Sequence, residues 1–387
     1  MIRQASLVVL ATLVVGSTSG CSAKDDGATG GQTSPCADVV CVETLPTTQS
    51  GSTLGASRNA FDAYACPAAA SRDLSGAEVV HRVTLPEEGF LSVAMTSGPS
   101  GGFLLLLGAD AAASCLDAHA TNVGAWLPPG NYFVVVDGKA GSEGEFTLQA
   151  ALTTPGRLQA DGIDPSLAAD ALTIYENAWA WGATRRSEYA IADFRLHSAE
   201  KREWVYDLSA GALLWNLRVA HGRKSTDGVD LAHAITFSNV SGSNQSSLGL
   251  ARSAGTYSGT FGPSFRLEGL EPGFNDAICT RDIVMHPWSP VGDAYVSQCG
   301  WARPSLGCPA IDDQISLPVR NRLARPDGGP PDAGVLMLFW YPDAAWHPTS
   351  EYLHGTAPSP AIEAQMAALC DSSQDGTPQP GGTYACD

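Results

Sequence analysis

Basic residues are scarce: 22 Lys and Arg stand against 40 Asp and Glu, a formal net charge of −18. A nucleic-acid backbone demands clustered positive charge, so nucleic acid is excluded as a partner. Gly-rich phosphate loops and dinucleotide fingerprints are absent, and no cofactor is expected. No His, Cys, Asp and Glu set stands at metal-ligand spacing, so no metal site is expected either. His81, His119, His197, His233, His347 and His354 have no partner that the sequence identifies. Long hydrophobic runs are missing too, and the apolar stretch Ala5 to Gly16 is too short to cross a bilayer.

What is present begins with that stretch. With Arg3 ahead of it, it reads as an export signal. It ends in Thr18-Ser19-Gly20-Cys21, which resembles the lipobox of bacterial lipoproteins. The resemblance implies cleavage before Cys21, acylation of that cysteine, and a periplasmic protein lipid-anchored to the cell envelope. Ser22 in place of an aspartate points to the outer membrane. Residues 1–21 are therefore taken as signal peptide and lipobox, and 22–59, rich in Gly, Ser, Thr and Asp, as a flexible tether. The chain has 10 cysteines, and in an exported protein these imply disulfides. Lipidation of Cys21 leaves an odd number, 10 − 1 = 9, so at least one is unpaired within the chain. Spacing pairs Cys36 with Cys41, Cys66 with Cys115, Cys279 with Cys299 and Cys370 with Cys386, and leaves Cys308 over.

The fold class expected is mainly β with some α. Between residues 60 and 152, short runs rich in Val, Leu, Phe and Tyr alternate with turn chemistry such as Pro128-Pro129-Gly130-Asn131. This predicts a small β-sandwich. The segments Leu85 to Val93 and Leu127 to Asp137 resemble the bacterial pre-peptidase C-terminal-type domain, which implies a jelly-roll-like accessory module. A linker, 153–164, leads to a second, sheet-based domain, 165–387, with a C-terminal tail. It opens with a helix from Pro165 to Trp181, on which Leu167, Ala171, Ile174, Ala178 and Trp181 share one face. Strands follow at Tyr189 to Phe194, Glu203 to Asp207 and Ala212 to Val219, and the fully apolar Val335 to Tyr341 is expected at the sheet centre.

The chemistry concentrates in Ser305-Leu306-Gly307-Cys308-Pro309-Ala310, with His286 ahead of it at the end of a short apolar strand. A thiol needs an adjacent imidazole to accept its proton at neutral pH. Gly307, lacking a Cβ, lets a substrate carbonyl approach, and the amides of Gly307 and Cys308 can face a developing oxyanion; Pro309 has none to offer. Judged on these residues alone, Cys308 fits a structural disulfide as well as it fits a nucleophile.

His286, Arg303, Ser305, Gly307 and Cys308 together resemble the catalytic signature of the L,D-transpeptidases, the YkuD-like domains. Tyr189 to Leu196, Val219-Ala220-His221-Gly222, Phe237-Ser238-Asn239, Ser246-Ser247-Leu248-Gly249 and Gly273-Phe274-Asn275-Asp276 agree with the pattern, which covers roughly residues 165 to 355. Two positions depart from it: Leu306 stands where a histidine is common, and Pro287 where a glycine is usual. The resemblance implies peptidoglycan stem peptides as substrate, Cys308 as nucleophile and His286 as base, with Ser305 orienting the loop or the imidazole. It implies a cysteine thioester that an amine resolves into a 3-3 crosslink. Arg303 is expected to bind stem carboxylates, and His221, Asn239 and Ser247 to line the cleft, with His221 as the alternative base. Two other readings are kept: an L,D-carboxypeptidase or cysteine amidase on the same site, and a non-catalytic wall-binding lipoprotein with Cys308 locked in a disulfide.

Overall fold

The computed structural model describes residues 38–355. The expected export signal and lipidation at Cys21, the cysteines Cys36, Cys370 and Cys386 and the expected C-terminal tail lie outside the described residues. Among the described residues no helix is long and apolar enough to cross a membrane.

Nine strands come first: β1 (Val40–Val42), β2 (Thr47–Ser52), β3 (Val79–Leu85), β4 (Gly89–Ser97), β5 (Phe103–Leu107), β6 (Cys115–His119), β7 (Asn122–Leu127), β8 (Gly130–Asp137) and β9 (Glu145–Thr153). They form a five-stranded sheet, β1-β3-β8-β5-β6, facing a four-stranded sheet, β2-β9-β4-β7. From β2 to β9 the strand order is that of a jelly roll. Val83, Leu104, Leu106 and Val134 of one sheet meet Leu91, Val93, Phe146 and Leu148 of the other. The outer face of the five-stranded sheet is covered as well, by Tyr64, Leu74 and the Cys66–Cys115 disulfide packed on Leu105, Leu107 and Val135. That double burial explains the unbroken apolar runs of β5 and β8.

The expected tether boundary at residue 59 needs correction. Val40 to Val42 pair in parallel with β3, and Thr47 to Ser52 pair antiparallel with β9 across its length. The β2 sequence, Thr-Thr-Gln-Ser-Gly-Ser, carries no apolar alternation because it is an edge strand; backbone hydrogen bonds to β9 hold it rather than side-chain burial. The expected linker likewise contains a helix, α1 (Pro155–Ala160), N-capped by Thr154.

The second half opens with α2 (Pro165–Ala180), whose N-cap Asp164 accepts from the Ser166 amide and whose Leu167, Ala171, Ile174, Tyr175 and Ala178 are buried. It continues through β10 (Glu188–Asp193), β11 (Glu203–Asp207), β12 (Ala212–Leu217), β13 (Gly249–Gly259), β14 (Gly262–Gly269), β15 (Val284–Pro287), α3 (Asp293–Cys299), β16 (Ala310–Ile311), α4 (Asp313–Leu323), β17 (Leu336–Trp340) and α5 (Glu351–His354). The strands make one mixed eight-stranded sheet, β12-β11-β10-β17-β13-β14-β15-β16. As the sequence predicts, the apolar β17 lies inside it, parallel to β10 and antiparallel to β13.

The jelly roll and this sheet share packing. Phe90 on β4 meets Tyr175 and Trp179 of α2 edge-on, at ring-centroid distances of 5.1 and 5.9 Å. Asp117 on β6 accepts from Trp179 Nε1 at 2.9 Å and pairs with Arg185 at 3.2 Å, while the Ala118 and Gly124 amides also donate to it.

Candidate active site

Cys308 and His286 reach one cleft because two short strands pair in parallel. His286 on β15 lies opposite Ala310 on β16, so the chain just before β16 carries Cys308 alongside the histidine. Among the described residues Cys308 is the free cysteine, whereas Cys41, Cys279 and Cys299 are disulfide-bonded, as are Cys66 and Cys115. Both candidates line a cleft of about 1200 Å³, together with Arg223, Lys224, Tyr257, Phe261, Arg281, Asp282, Trp288, Arg303 and Leu306.

The imidazole is held by two rings and a backbone carbonyl. The His286 ring stacks on Phe261 with centroids 4.4 Å apart and meets Trp288 edge-on at 6.2 Å. Its Nδ1 lies 3.0 Å from the Pro287 carbonyl, which can only accept, so Nδ1 carries the proton and Nε2 keeps its lone pair. Burial lowers the pKa of His286 to about 4, with the Pro287 hydrogen bond opposing. The ring is therefore neutral at physiological pH and able to accept a proton.

The thiol starts protonated. Burial pushes the Cys308 thiol up to about 11, the Val284 backbone and Arg281 acting the other way. Its S–H donates to the Asp282 carbonyl at 3.7 Å. Asp282 has φ 55°, the left-handed region, and that conformation sets the carbonyl under the sulfur.

Ser305 organises the loop rather than the imidazole. Its Oγ donates to the Cys308 carbonyl at 2.7 Å and accepts from the Gly307 amide at 3.0 Å, while its own amide donates to the His221 carbonyl at 2.7 Å. This changes the accounting for an oxyanion. The Gly307 amide is spent on Ser305, whereas the Cys308 amide has no hydrogen-bond acceptor among the described residues. Gly307 is needed for another reason: φ is +123°, and a Cβ there would stand 2.8 Å from the Gln245 carbonyl oxygen. The space is filled by protein, not kept open for substrate.

Of the other residues expected in the cleft, Arg303 lines it and His221, Asn239 and Ser247 do not. His221 is fully buried, its Nδ1 accepting from Arg202 at 2.7 Å, and burial lowers its pKa far below the usual range. Its contribution to the site is the carbonyl that holds Ser305. Asn239 bridges the Asp276 carboxylate and the Ala277 amide. Ser247 Oγ accepts from Arg281 at 2.7 Å, so it supports a residue that does line the cleft.

Arg281 and the aromatic clamp of Phe261 and Trp288 escaped the sequence reading. Trp288, two residues after His286, was visible beside it; Phe261, in the β13–β14 turn, gave no local signal. Leu306, in the position where a histidine is common, is 60% exposed and lines the cleft.

Comparison with known proteins adds the family. No curated protein matches the chain. Among solved structures, a periplasmic inhibitor of g-type lysozyme from Aeromonas hydrophila, PliG, is similar at 13% identity, covering 30% of this chain and 98% of its own, with a TM-score of 0.21. The pre-peptidase C-terminal domain of a Bacillus anthracis collagenase is similar at 14% identity over 29% of this chain and 93% of its own, with a TM-score of 0.19. The family model of the L,D-transpeptidase catalytic domain matches residues 159–326, ending before β17, the strand that completes the sheet. Residues 159–326, which carry Cys308, His286 and their cleft, are thus an L,D-transpeptidase catalytic domain, of a transpeptidase family related to peptidoglycan.

Proposed function

We propose that the protein is a cell-wall L,D-transpeptidase that works through a Cys308 thioester. The observation that carries the reading is the pairing of β15 with β16, which brings a free thiol and a neutral imidazole with an open Nε2 lone pair into one cleft. Cys308 Sγ attacks the carbonyl of the L-centre of diaminopimelate in a tetrapeptide stem, and its proton passes to His286 Nε2. The Cys308 amide is the donor placed to meet the oxyanion. Collapse of the tetrahedral intermediate breaks the amide bond; the proton on Nε2 goes to the leaving nitrogen, and D-alanine departs. An amine of a second stem then attacks the thioester carbonyl, gives its proton back through His286 to sulfur, and leaves a 3-3 crosslink.

Neutral resting groups suit this sequence, because the proton moves only as the carbon–sulfur bond forms. Arg303, with Arg223 and Lys224, makes a positively charged wall in a strongly acidic protein, which favours the carboxylates of a stem peptide. In the cell we place the protein in the periplasm, held by a lipid on Cys21. Incubation of the purified protein with tetrapeptide, with and without an acceptor stem, tests the reading by product mass. Free D-alanine together with a crosslinked dimer is expected. D-alanine without any dimer would assign an L,D-carboxypeptidase, and no release at all would leave a wall-binding protein.

A further inference from the structure

Arg281 lines the cleft and has no carboxylate partner among the described residues. Its four terminal N–H groups are all committed to neutral acceptors. Nη1 donates to the Ser238 carbonyl at 2.6 Å and Ser247 Oγ at 2.7 Å; Nη2 donates to the Gln245 carbonyl at 2.7 Å and Ser243 Oγ at 3.2 Å. The guanidinium therefore has no free fork with which to grip a substrate carboxylate. Half-buried and uncompensated, it keeps its full charge in a medium of low dielectric, where that charge acts further than it would in water. A merely structural clamp on the 238–247 loop would not require a cation whose charge is left unanswered.

The charge is felt at Cys308. Arg281 and Cys308 line the same cleft and interact electrostatically, Arg281 favouring the thiolate. Asp282 opposes it from the adjoining position. The remaining charged or titratable groups of the cleft are Arg223, Lys224 and Asp227 from the loop after β12, His286 from β15, and Arg303 before the cysteine loop.

We infer that Arg281 is a positioning residue whose fixed positive charge makes the Cys308 thiol easier to ionise, while its hydrogen bonds hold the loop against which Gly307 packs. The Gln245 carbonyl that would collide with a Cβ on Gly307 is the one Arg281 grips, so one side chain sets both the shape of the nucleophile loop and the charge beside it.

Alkylation of Cys308 by iodoacetamide, a neutral reagent, reads this without any substrate, so its outcome is independent of whether the protein is a transpeptidase. Rates are compared across pH 6–10 for wild type, Arg281→Lys and Arg281→Gln, with folding checked by circular dichroism. Loss of the charge is expected to raise the thiol by about one unit, leaving tenfold less thiolate at a given pH. Each thiolate then reacts about threefold faster, so the rate for Arg281→Gln falls about threefold. Arg281→Lys keeps the charge but not the fork, and its profile is expected to overlay that of wild type. Equal slowing of both variants, or no slowing of either, overturns the inference. If Arg281→Gln does not fold, Arg281→Met takes its place as the uncharged variant, and the same comparison with Arg281→Lys decides.

Discussion

At the scale of single residues, the site is defined by a few backbone positions rather than by many side chains. Gly307 is the clearest. An alanine there would have to hold a left-handed φ and displace the Gln245 carbonyl, at a cost of about 1–3 kcal/mol. A shift of the nucleophile by an ångström costs about a hundredfold in rate. Gly307→Ala is therefore expected to lower Cys308 acylation on the order of a hundredfold while the protein still folds, measured as the acylation rate beside urea unfolding. Retention of wild-type acylation would contradict this geometry. The cysteine and the histidine stood out in the sequence through their resemblance to a family signature, whereas Gly307 was expected for substrate approach and is required instead by its positive φ and its closeness to the Gln245 carbonyl. The placement of His221, Asn239 and Ser247 was not. Ser and Asn suit loops and clefts equally, and only the fold shows that Ser247 holds Arg281 and that His221 serves through its carbonyl.

At the scale of elements, the site depends on strands that the sequence shows unequally. The apolar β17 and the helix α2 announce themselves by composition and period. The two-residue β16, on which the placement of Cys308 depends, has no signature of its own, because its pairing with β15 is a contact between distant segments. The polar edge strand β2 is hidden for the opposite reason, having no apolar face to bury. Next to the site, β13 and β14 are joined by a buried charge cluster. Glu268 on β14 pairs with Arg252 on β13 at 2.8 Å and with Arg325 beyond α4 at 2.7 Å, all three nearly inaccessible to solvent. Removing the anion leaves two buried guanidinium groups uncompensated, which costs about 3–5 kcal/mol. Glu268→Gln should show that loss in urea unfolding, and a change below 1 kcal/mol would contradict the cluster's role in joining these strands.

At the scale of the whole molecule, the buried titratable groups give stability a definite pH dependence. Burial pushes Asp137 and Glu271 up to about 7 and Glu203 up to about 8, so the folded chain keeps protons that the unfolded chain releases above about pH 4.5. These groups make stability fall as pH rises from about 4.5 to 8. His81 and His286, lowered to about 4 by burial, act in reverse: below about pH 6.5 the unfolded imidazoles take up protons that the folded rings refuse. The trends oppose each other up to about pH 6.5, and above it only the carboxyl trend remains. Tm is therefore expected to drop between pH 6.5 and 8, a fall that the charge of −18 reinforces. Glu203 is the sharpest test, since both its oxygens are buried without a hydrogen-bond partner among the described residues. Glu203→Met should stabilise the protein at pH 8 by about 1–3 kcal/mol and flatten the dependence. A steeper fall for that variant would refute the assignment.

The central claim, a catalytic thiol at Cys308 served by His286, is tested most directly by intact-mass measurement after exposure to a carbapenem, whose strained carbonyl traps an attacking thiolate as a stable thioester. The account predicts one adduct per chain in the wild type, mapped to Cys308, strongly slowed in His286→Ala, and absent in Cys308→Ala with folding and disulfides intact. An adduct that persists in Cys308→Ala, or a Cys308 found oxidised and unreactive in the wild type, would contradict it.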